Sequence, residues 1–275
     1  MNIKIHQIFY DESQRVHLDN HFVPYNNEGK NYPFNFEYAV FFDLYKKTNW
    51  SQVDLLGTVS WKFSQKTGLS GEKLLRHISE NPGMDVYFVN PFPELSIYNN
   101  VWEQGDAFHP ELTKITSLLL KECGYSDNIL SIENPPNLMA YCNYWVANKK
   151  FWDAYIQFLT PLWTYLQKGD SSVEKYLQCS ADALTESPYL PFIFERLFSS
   201  FLSERVFKVS SLPIYSKKHA RYPYLSGIYA RIAKVSQLKS RKEISLFDKI
   251  LILGFHKTKK VYNYHLPSLM RKLKK

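Results

Sequence analysis

Apolar and polar residues along the chain follow two alternating periods. The first stretch, IKIHQIFY, separates Ile3, Ile5 and Ile8 with polar residues and predicts a strand, and FNFEYAVFFDLYKKTNW has the apolar spacing of a helix. Strand patterns then recur in VDLLGTVSW, MDVYFVN, LMAYCNYWVA and FKVSSLPIY. Helical patterns lie among them in GLSGEKLLRHISENPG, HPELTKITSLLLKECG, KKFWDAYIQFLTPLWTYLQKG and PYLPFIFERLFSSFLSERV. Strands alternating with helices predict an α/β fold whose mostly parallel sheet is covered on both faces.

Three residues mark the ends or bends of these helices. Ser70 is expected to cap one helix, and Gly124 is expected to end another. Pro161 lies inside the long helical pattern and is expected to kink it.

The segment NPFPELSIYNNVWEQGDAFHP, residues 90–110, predicts a long loop. Its three prolines remove backbone donors, and its many polar groups would need partners inside a core. In open α/β sheets the site lies beyond the carboxyl ends of the strands, and MDVYFVN leads directly into this segment. We therefore expect Asn90–His109 to overhang a binding site, with an ordinary surface excursion as the alternative.

Composition limits the class of protein. With 275 residues, of which 45% are hydrophobic, the chain can form one large domain or one domain with an appendage. The N-terminus lacks a signal-peptide pattern, and no apolar run approaches the roughly 18 residues of a membrane span, so a cytoplasmic location is expected. Cys123, Cys142 and Cys179 are few and widely spaced, which favours buried structural thiols over disulfides or a thiolate metal site.

Charge divides the chain into two parts. Residues 217–275 contain 16 Lys/Arg and only two acids, a net charge of +14, whereas residues 1–216 have a net charge of −6. This asymmetry predicts a mildly acidic α/β domain over residues 1–216 and a basic helical extension over residues 217–275.

Five stretches, in order, carry a resemblance to known enzymes. They are NFEYAVFFDLYKK, DLLGTVSWKFSQKTG, NNVWEQGDAFHP, YCNYWVANKKFWDAYIQFLTPLWTYL and IFERLFSSFL, and the resemblance extends over roughly residues 3–215. The order resembles that in bacterial glycosyltransferases of O-antigen and capsule synthesis, including galactofuranosyltransferase-like members. The resemblance implies a GT-A-like fold, a hexosyltransferase that uses a nucleotide sugar, expected to be a UDP-sugar, and a growing polyprenyl-linked glycan as acceptor.

Such a transfer needs a surface for a flat base, compensation for the leaving diphosphate, and polar groups that orient hydroxyls. Trp61 and Trp102 are candidates for stacking on rings, and Asn90, Gln104 and Asn143 are candidates for binding hydroxyls. Each has an ordinary structural role as its alternative. The predicted substrate-binding residues are Asn35, Glu37, Trp61, Lys62, Asn90, Trp102, Glu103, Gln104, His109 and Asn143.

The need for a metal ion is open. Many enzymes of this kind hold a divalent cation, Mg²⁺ or Mn²⁺, through an Asp-any-Asp pair, and this chain has none. The diphosphate could instead be met by Lys62 or Lys66, by helix N-termini, or by a cation held by Asp85, Glu103 and His109.

Glu195 is the predicted general base for an inverting transfer. It lies among apolar residues, where partial burial would raise the pKa of its carboxyl toward neutrality. An ion pair with Arg196 or Lys208 is the structural alternative.

The basic extension combines Leu, Ile and Phe with Lys and Arg. This composition is typical of a segment on an anionic membrane surface, here the inner face of the plasma membrane, where lipid-linked glycans are found. The alternative is a terminal helix packed on the body with an exposed basic face.

A non-enzymatic membrane or RNA-binding protein is the rival function. In it Tyr215, Tyr222, Tyr224 and Tyr229 would stack on single-stranded bases. The glycosyltransferase interpretation expects no nucleic-acid partner.

Overall fold

A six-stranded mixed sheet forms the centre of the fold. The structure is a computed structural model that describes residues 1–29, 37–126, 128–168, 177, 181, 187–214 and 226–260. The strands are β1 (Ile3–Phe9), β2 (Val23–Asn26), β3 (Leu55–Ser60), β4 (Val86–Phe88), β5 (Trp145–Ala147) and β6 (Val209–Ser211). Their order in the sheet is β2-β1-β3-β5-β4-β6.

The strand β5 runs opposite to the other five strands of this sheet. It pairs antiparallel with β3 and with β4, so that Trp145 lies opposite both Thr58 and Phe88. The pairs β1–β2, β1–β3 and β4–β6 are parallel. Every residue of β3, β4 and β5 is buried. Because successive side chains point to opposite faces, both faces of the central sheet are covered, and the predicted α/β class with a mostly parallel sheet is confirmed.

Ten α-helices are present in the described chain. They are α1 (Glu37–Lys47), α2 (Phe63–Thr67), α3 (Gly71–Glu80), α4 (Val101–Phe108), α5 (Leu112–Glu122), α6 (Asn128–Ser131), α7 (Lys149–Gln167), α8 (Tyr189–Glu204), α9 (Ser226–Ser236) and α10 (Leu246–Lys260). Among them, no helix combines the length and apolar character that a bilayer-crossing segment requires.

The predicted helix signals act as expected at two positions. Ser70 Oγ accepts a hydrogen bond from Lys73 N at 3.4 Å and caps α3. Gly124, just beyond α5, has a left-handed backbone with φ of 75°. Pro161 lies inside α7, which continues to Gln167.

The prediction of a loop over residues 90–110 is wrong for its second half. Residues Val101–Phe108 form α4, capped by Asn100, whose Oδ1 accepts from Trp102 N at 3.0 Å and Glu103 N at 2.8 Å. The prolines lie outside this helix, and Pro93 begins a 3₁₀ turn over Pro93–Ile97. A side-chain cap therefore starts a helix in a segment whose composition favours a loop.

The strand predicted over LMAYCNYWVA is much shorter than its pattern. Only Trp145–Ala147 pairs in the sheet. Upstream, Cys142 and Asn143 have φ of 70° and 47°, which are incompatible with extended backbone.

Trp145 joins the sheet to the helices that cover it. Its ring contacts Phe41 of α1, Trp152 of α7 and Phe198 of α8, with ring centroids 5.2, 4.5 and 5.5 Å away. These contacts hold β5 in the largest hydrophobic cluster of the described chain.

The described part of the basic extension packs on the body. Ile232, Val235, Ile244 and Ile252 form a second small cluster with Ile97 of the 3₁₀ turn Pro93–Ile97. The buried Arg241 donates from Nη1 to Ser96 O at 3.2 Å. The helices α9 and α10 therefore rest on the chain that follows β4.

The buried Arg196 joins α8 to α4. Its Nε donates to Val101 O at 3.0 Å and its Nη2 to Gln104 Oε1 at 2.7 Å. Gly105 allows this approach, because a Cβ there would lie 2.8 Å from Arg196 Nε and 2.5 Å from Leu112 Cδ2.

Gly105→Ala is expected to destabilise the protein by about 1–3 kcal/mol, since the added methyl meets side chains fixed by packing and hydrogen bonds. The matched control is Gly254→Ala in α10, where a Cβ would meet nothing within 4 Å. That change is expected to be neutral or stabilising by up to about 1 kcal/mol. Urea denaturation measures both, and equal stabilities of the two variants would contradict the close packing at Gly105.

Candidate functional site

The carboxyl edge of the sheet brings together residues from distant parts of the sequence. The parallel strands β1 and β3 end there at Phe9 and Ser60. Because β5 is antiparallel, the residues that precede it reach the same edge. Ser60 Oγ and Tyr144 OH lie 2.8 Å apart and join the end of β3 to the approach to β5. This is the position at which open α/β sheets bind ligands.

The approach to β5 has an unusual backbone. Cys142 and Asn143 are consecutive non-glycine residues in the left-handed region. Such conformations cost on the order of 1–3 kcal/mol each and concentrate at functional sites. Asn143 is 7% exposed, and its Nδ2 donates to Glu37 Oε2 at 3.2 Å. Its Oδ1 is buried and has no hydrogen-bond partner among the described residues. Asn143 Oδ1 is therefore a buried acceptor whose hydrogen-bonding capacity is left for a donor group of a ligand.

Glu37, the first residue of α1, has a carboxyl that can hold a proton near neutral pH. Burial raises its pKa to about 7, a shift that the Asn143 hydrogen bond and the Lys66 charge oppose and that the Glu195 charge increases. Carboxyl groups with such shifted pKa values are common at sites of proton transfer.

Lys66 brings a positive charge into this group. Its Nζ donates to Cys142 Sγ at 3.1 Å. Partial desolvation of Nζ disfavours the ammonium of this otherwise exposed side chain, but Cys142, Glu195 and Glu37 outweigh it and raise the pKa of Lys66. Burial also raises the pKa of Cys142 to about 12, so its thiol is neutral at pH 7. At that pH the negative charge near Lys66 therefore comes from Glu195 and from the ionised fraction of Glu37.

Glu195 reaches the cluster from α8. Its side chain is 19% exposed, and one carboxylate oxygen forms a long ion pair with Arg196 Nη1 at 3.9 Å, as the structural alternative expected, beyond hydrogen-bond distance. Arg196 instead donates to Val101, Phe192 and Gln104. Among the described residues, no ion pair joins Lys208 to Glu195; the backbone N of Lys208 donates to Asp85 Oδ2 at 2.9 Å. Within the described chain, the Glu195 carboxylate accepts no hydrogen bond.

Three further predicted residues lie at the ends of strands β3 and β4. Trp61 stacks on His17 with ring centroids 5.5 Å apart, and Lys62 Nζ lies 4.8 Å from the Trp61 ring. Asn90 is engaged in its own turn, since its Oδ1 accepts from Phe92 N at 2.9 Å.

Four predicted residues have structural partners away from this cluster. Trp102 Nε1 donates to Ser200 Oγ at 2.9 Å inside the core, and Gln104 binds Arg196. Glu103 Oε2 accepts from Asn99 N at 3.1 Å. His109 is buried and stacks on Phe192 at 3.7 Å. Asn35 lies outside the described residues.

The residues that could hold a cation, Asp85, Glu103 and His109, do not lie together in the structure. Asp85, at the start of β4, accepts from Asn148 at 2.9 Å and from Lys150 at 3.2 Å, at the edge opposite the cluster. In the described chain, no group of three or more His, Cys, Asp or Glu has a metal-holding arrangement. A bound Mg²⁺ or Mn²⁺ stays a prediction.

Sequence patterns did not indicate several members of the cluster. Lys66 was expected only as an alternative phosphate ligand, and Cys142 only as a structural thiol. Ser60, Tyr144 and Tyr10 were not expected at all. Burial and the Glu37 charge raise the pKa of Tyr10, which follows β1. No local signal identifies these residues, because the pairing of β1, β3 and β5, which are distant in the sequence, brings them together.

Comparison with known proteins gives one distant structural likeness. No family model matches the sequence, and no curated protein matches it. The apo structure of the WbbM bifunctional glycosyltransferase is similar to 77% of this chain, with 15% sequence identity and a TM-score of 0.46. The matched region covers 45% of that protein, so this chain corresponds to less than half of it. A likeness this distant transfers no residue roles, and the chemistry rests on the site itself.

The raised pKa of Glu37 predicts a pH-dependent stability. The unfolded carboxyl ionises near its ordinary pKa of 4.5, whereas the folded one ionises near 7. The folded state therefore loses stability as pH rises from about 4.5 to about 7, by on the order of 3 kcal/mol. Glu37→Gln is expected to remove this loss, as measured by urea denaturation at a series of pH values.

Glu72→Gln provides the control for this measurement. Glu72 is an exposed glutamate on α3, paired with Arg76 at the surface, and its replacement is expected to keep the wild-type pH dependence. If wild type and Glu37→Gln lose stability in parallel, Glu37 does not carry the proton.

Proposed function

We propose that this protein is a glycosyltransferase that moves a sugar from a nucleotide-sugar donor to a growing glycan. The observation that supports this most is the convergence of Glu37, Lys66, Asn143 and Glu195 at the carboxyl edge of the sheet. The group supplies two carboxyls, one ammonium and one buried amide acceptor. Sugar transfer needs these same chemical elements: a proton acceptor, a charge opposite the leaving diphosphate and hydroxyl ligands.

Lys66 is the proposed partner of the leaving diphosphate. The charges of Glu195 and Glu37 favour its ammonium form, and the Phe92 ring centroid lies 5.9 Å from Nζ. Lys62 is an exposed second cation on the same α2 segment. The neighbouring Trp61 ring is half-buried and provides a surface for a flat base, as a UDP-sugar requires.

Asn143 is the proposed hydroxyl ligand. Its Nδ2 is occupied by Glu37, which fixes the orientation of the amide. The opposite atom, Oδ1, is a buried acceptor without a partner in the described chain. A sugar hydroxyl that donates to this oxygen would satisfy a buried polar group, which favours binding by about 1–3 kcal/mol.

Glu195 is the proposed general base. At pH 7 the Glu37 carboxyl is partly protonated and carries a hydrogen bond from Asn143, whereas Glu195 accepts none in the described chain. Glu195 is also partly exposed, so that an acceptor hydroxyl can reach it. It would take the proton from that hydroxyl as the new glycosidic bond forms.

The basic extension supports a lipid-linked acceptor. Residues 217–275 have a net charge of +14, which complements a polyprenyl diphosphate and the anionic lipids around it. The rival function, RNA binding, would use Tyr229 to stack on a base. That function is less favoured because the Tyr229 ring packs edge-on against Phe255, with ring centroids 5.4 Å apart. Tyr215, Tyr222 and Tyr224 lie outside the described residues.

Calorimetry with a panel of UDP- and GDP-sugars tests the donor assignment. Saturable binding of one donor is expected, and Lys66→Met is expected to weaken it about ten- to a hundredfold by removing a charge-assisted contact. Lys73→Met, an exposed lysine on α3, is the control. Steeply salt-dependent binding of single-stranded RNA, with no sugar-nucleotide binding, would contradict the proposal.

Glu195→Gln is expected to lower turnover by roughly 10²- to 10⁴-fold, because it removes the basic carboxylate and keeps the shape of the side chain. Donor affinity and melting temperature should change little. Glu204→Gln, at the exposed end of the same helix, should retain wild-type turnover. Turnover within a few-fold of wild type in folded Glu195→Gln would exclude the general-base role.

A further inference from the structure

The helix α10 carries a cluster of exposed apolar side chains. Leu246, Phe247, Ile250 and Leu253, the apolar stripe, are 72%, 60%, 66% and 37% exposed. Their spacing places Leu246, Ile250 and Leu253 along one side of the helix. The other large exposed hydrophobics of the described chain, including Val16, Leu118 and Val206, are distant from it in the sequence. Contiguous apolar surface of this kind marks an interaction site.

The opposite side of α10 is fixed to the body. Ile252 is fully buried, and His256 lies between Tyr98 and Phe108, with ring centroids 6.1 and 5.4 Å away. Phe255 packs against Tyr229 of α9. The helix therefore has a packed face and an outward face, and the apolar stripe belongs to the outward one.

The surroundings of the apolar stripe are cationic. Lys249 and Lys257 are exposed on α10 itself. Residues 226–260 contain nine Lys/Arg and only Glu243 and Asp248 as acids. Asp248 is neutralised by Arg231, whose Nη1 lies 2.8 Å from its carboxylate. An anionic partner with an apolar layer complements this surface.

We propose that α10 lies in the plane of an anionic lipid surface. The apolar stripe would enter the boundary between headgroups and acyl chains, with Lys249 and Lys257 near the lipid phosphates. A helix that is apolar on one side and basic at its flanks binds such surfaces in two ways. Its apolar side chains are buried among the lipids, and its basic side chains are attracted to the anionic headgroups.

This placement would put the lipid surface on the side of the molecule that holds the carboxyl edge of the sheet. Ser211, the last residue of β6, donates from Oγ to Gln237 Oε1 at 3.1 Å just beyond α9. The α10 helix itself rests on Tyr98 and Phe108, which follow β4. Both contacts lie on segments that leave the carboxyl edge, where Glu37 and Glu195 converge. A lipid-linked acceptor would then be presented at the same end of the molecule.

The test is co-sedimentation of the full chain with phosphatidylcholine vesicles that contain roughly one-third phosphatidylglycerol, which supplies the negative surface potential. Wild type is expected to bind these vesicles and not pure phosphatidylcholine. A triple variant of Leu246, Ile250 and Leu253 to Ser is expected to bind at least about tenfold more weakly. The matched control replaces Val16, Leu118 and Val206 with Ser and should bind as wild type does.

Charge is tested in a second pair of variants. Lys249→Glu with Lys257→Glu should weaken vesicle binding, whereas Lys46→Glu with Lys73→Glu, exposed lysines elsewhere, should not. Circular dichroism confirms folding of each variant. Since the assay contains no sugar donor, its outcome is separate from that of the proposed transfer reaction.

Three results would overturn the lipid assignment. The first is wild type that fails to bind the anionic vesicles. The second is a triple apolar variant that binds as tightly as wild type, which would assign binding to other cations of the chain. The third is found by analytical ultracentrifugation. If wild type forms a concentration-dependent dimer that the triple variant loses, while vesicle binding by the variant is unchanged, a second copy of the chain covers the apolar stripe.

Discussion

The antiparallel pairing of β5 is the constraint on which the site depends. This short strand lies between β3 and β4 and bonds to both, so its direction determines which flanking residues reach the carboxyl edge. With the direction observed, Cys142, Asn143 and Tyr144 arrive there. The residue after the strand, Asn148, binds Asp85 at the opposite edge. A parallel strand at this position would exchange these two sets of side chains and remove the amide that orients Glu37.

The packed core next to the site compensates for the energetic cost of the site. Two left-handed residues, a buried acceptor without a partner and a carboxyl with a raised pKa each oppose folding. The two left-handed residues, Cys142 and Asn143, lie three and two positions before Trp145, which contacts aromatic rings from three helices. Burial of such side chains contributes several kcal/mol in total and fixes the strand in one register. Packing of the strand that follows therefore compensates the strain at Cys142 and Asn143.

Sequence patterns predicted the helices that are defined by their own apolar spacing and capping residues. The apolar spacing of α1, α3, α7 and α8 and the cap at Ser70 were sufficient for those helices. The helix α4 was hidden because Asn100, its cap, lies in a stretch that also contains turn-forming residues. The direction of β5 could not be predicted, since strand direction depends on pairing with distant partners. For the same reason, Glu37, Asn143 and Glu195 were expected as separate candidates, while their grouping around Lys66 required the structure.

The orientation of α10 relative to the site depends on a directional contact as well as on apolar packing. The cluster of Ile97, Ile232, Val235, Ile244 and Ile252 would tolerate many rotations, because hydrophobic contacts are non-directional. Arg241 is buried and donates to Ser96 O and Ile97 O in the turn that follows β4. Burial lowers the pKa of Arg241, but a guanidinium stays charged at neutral pH, so a packing that left it unbonded would carry a large desolvation cost. The buried cation thus selects the arrangement in which the apolar stripe faces outward beside the carboxyl edge.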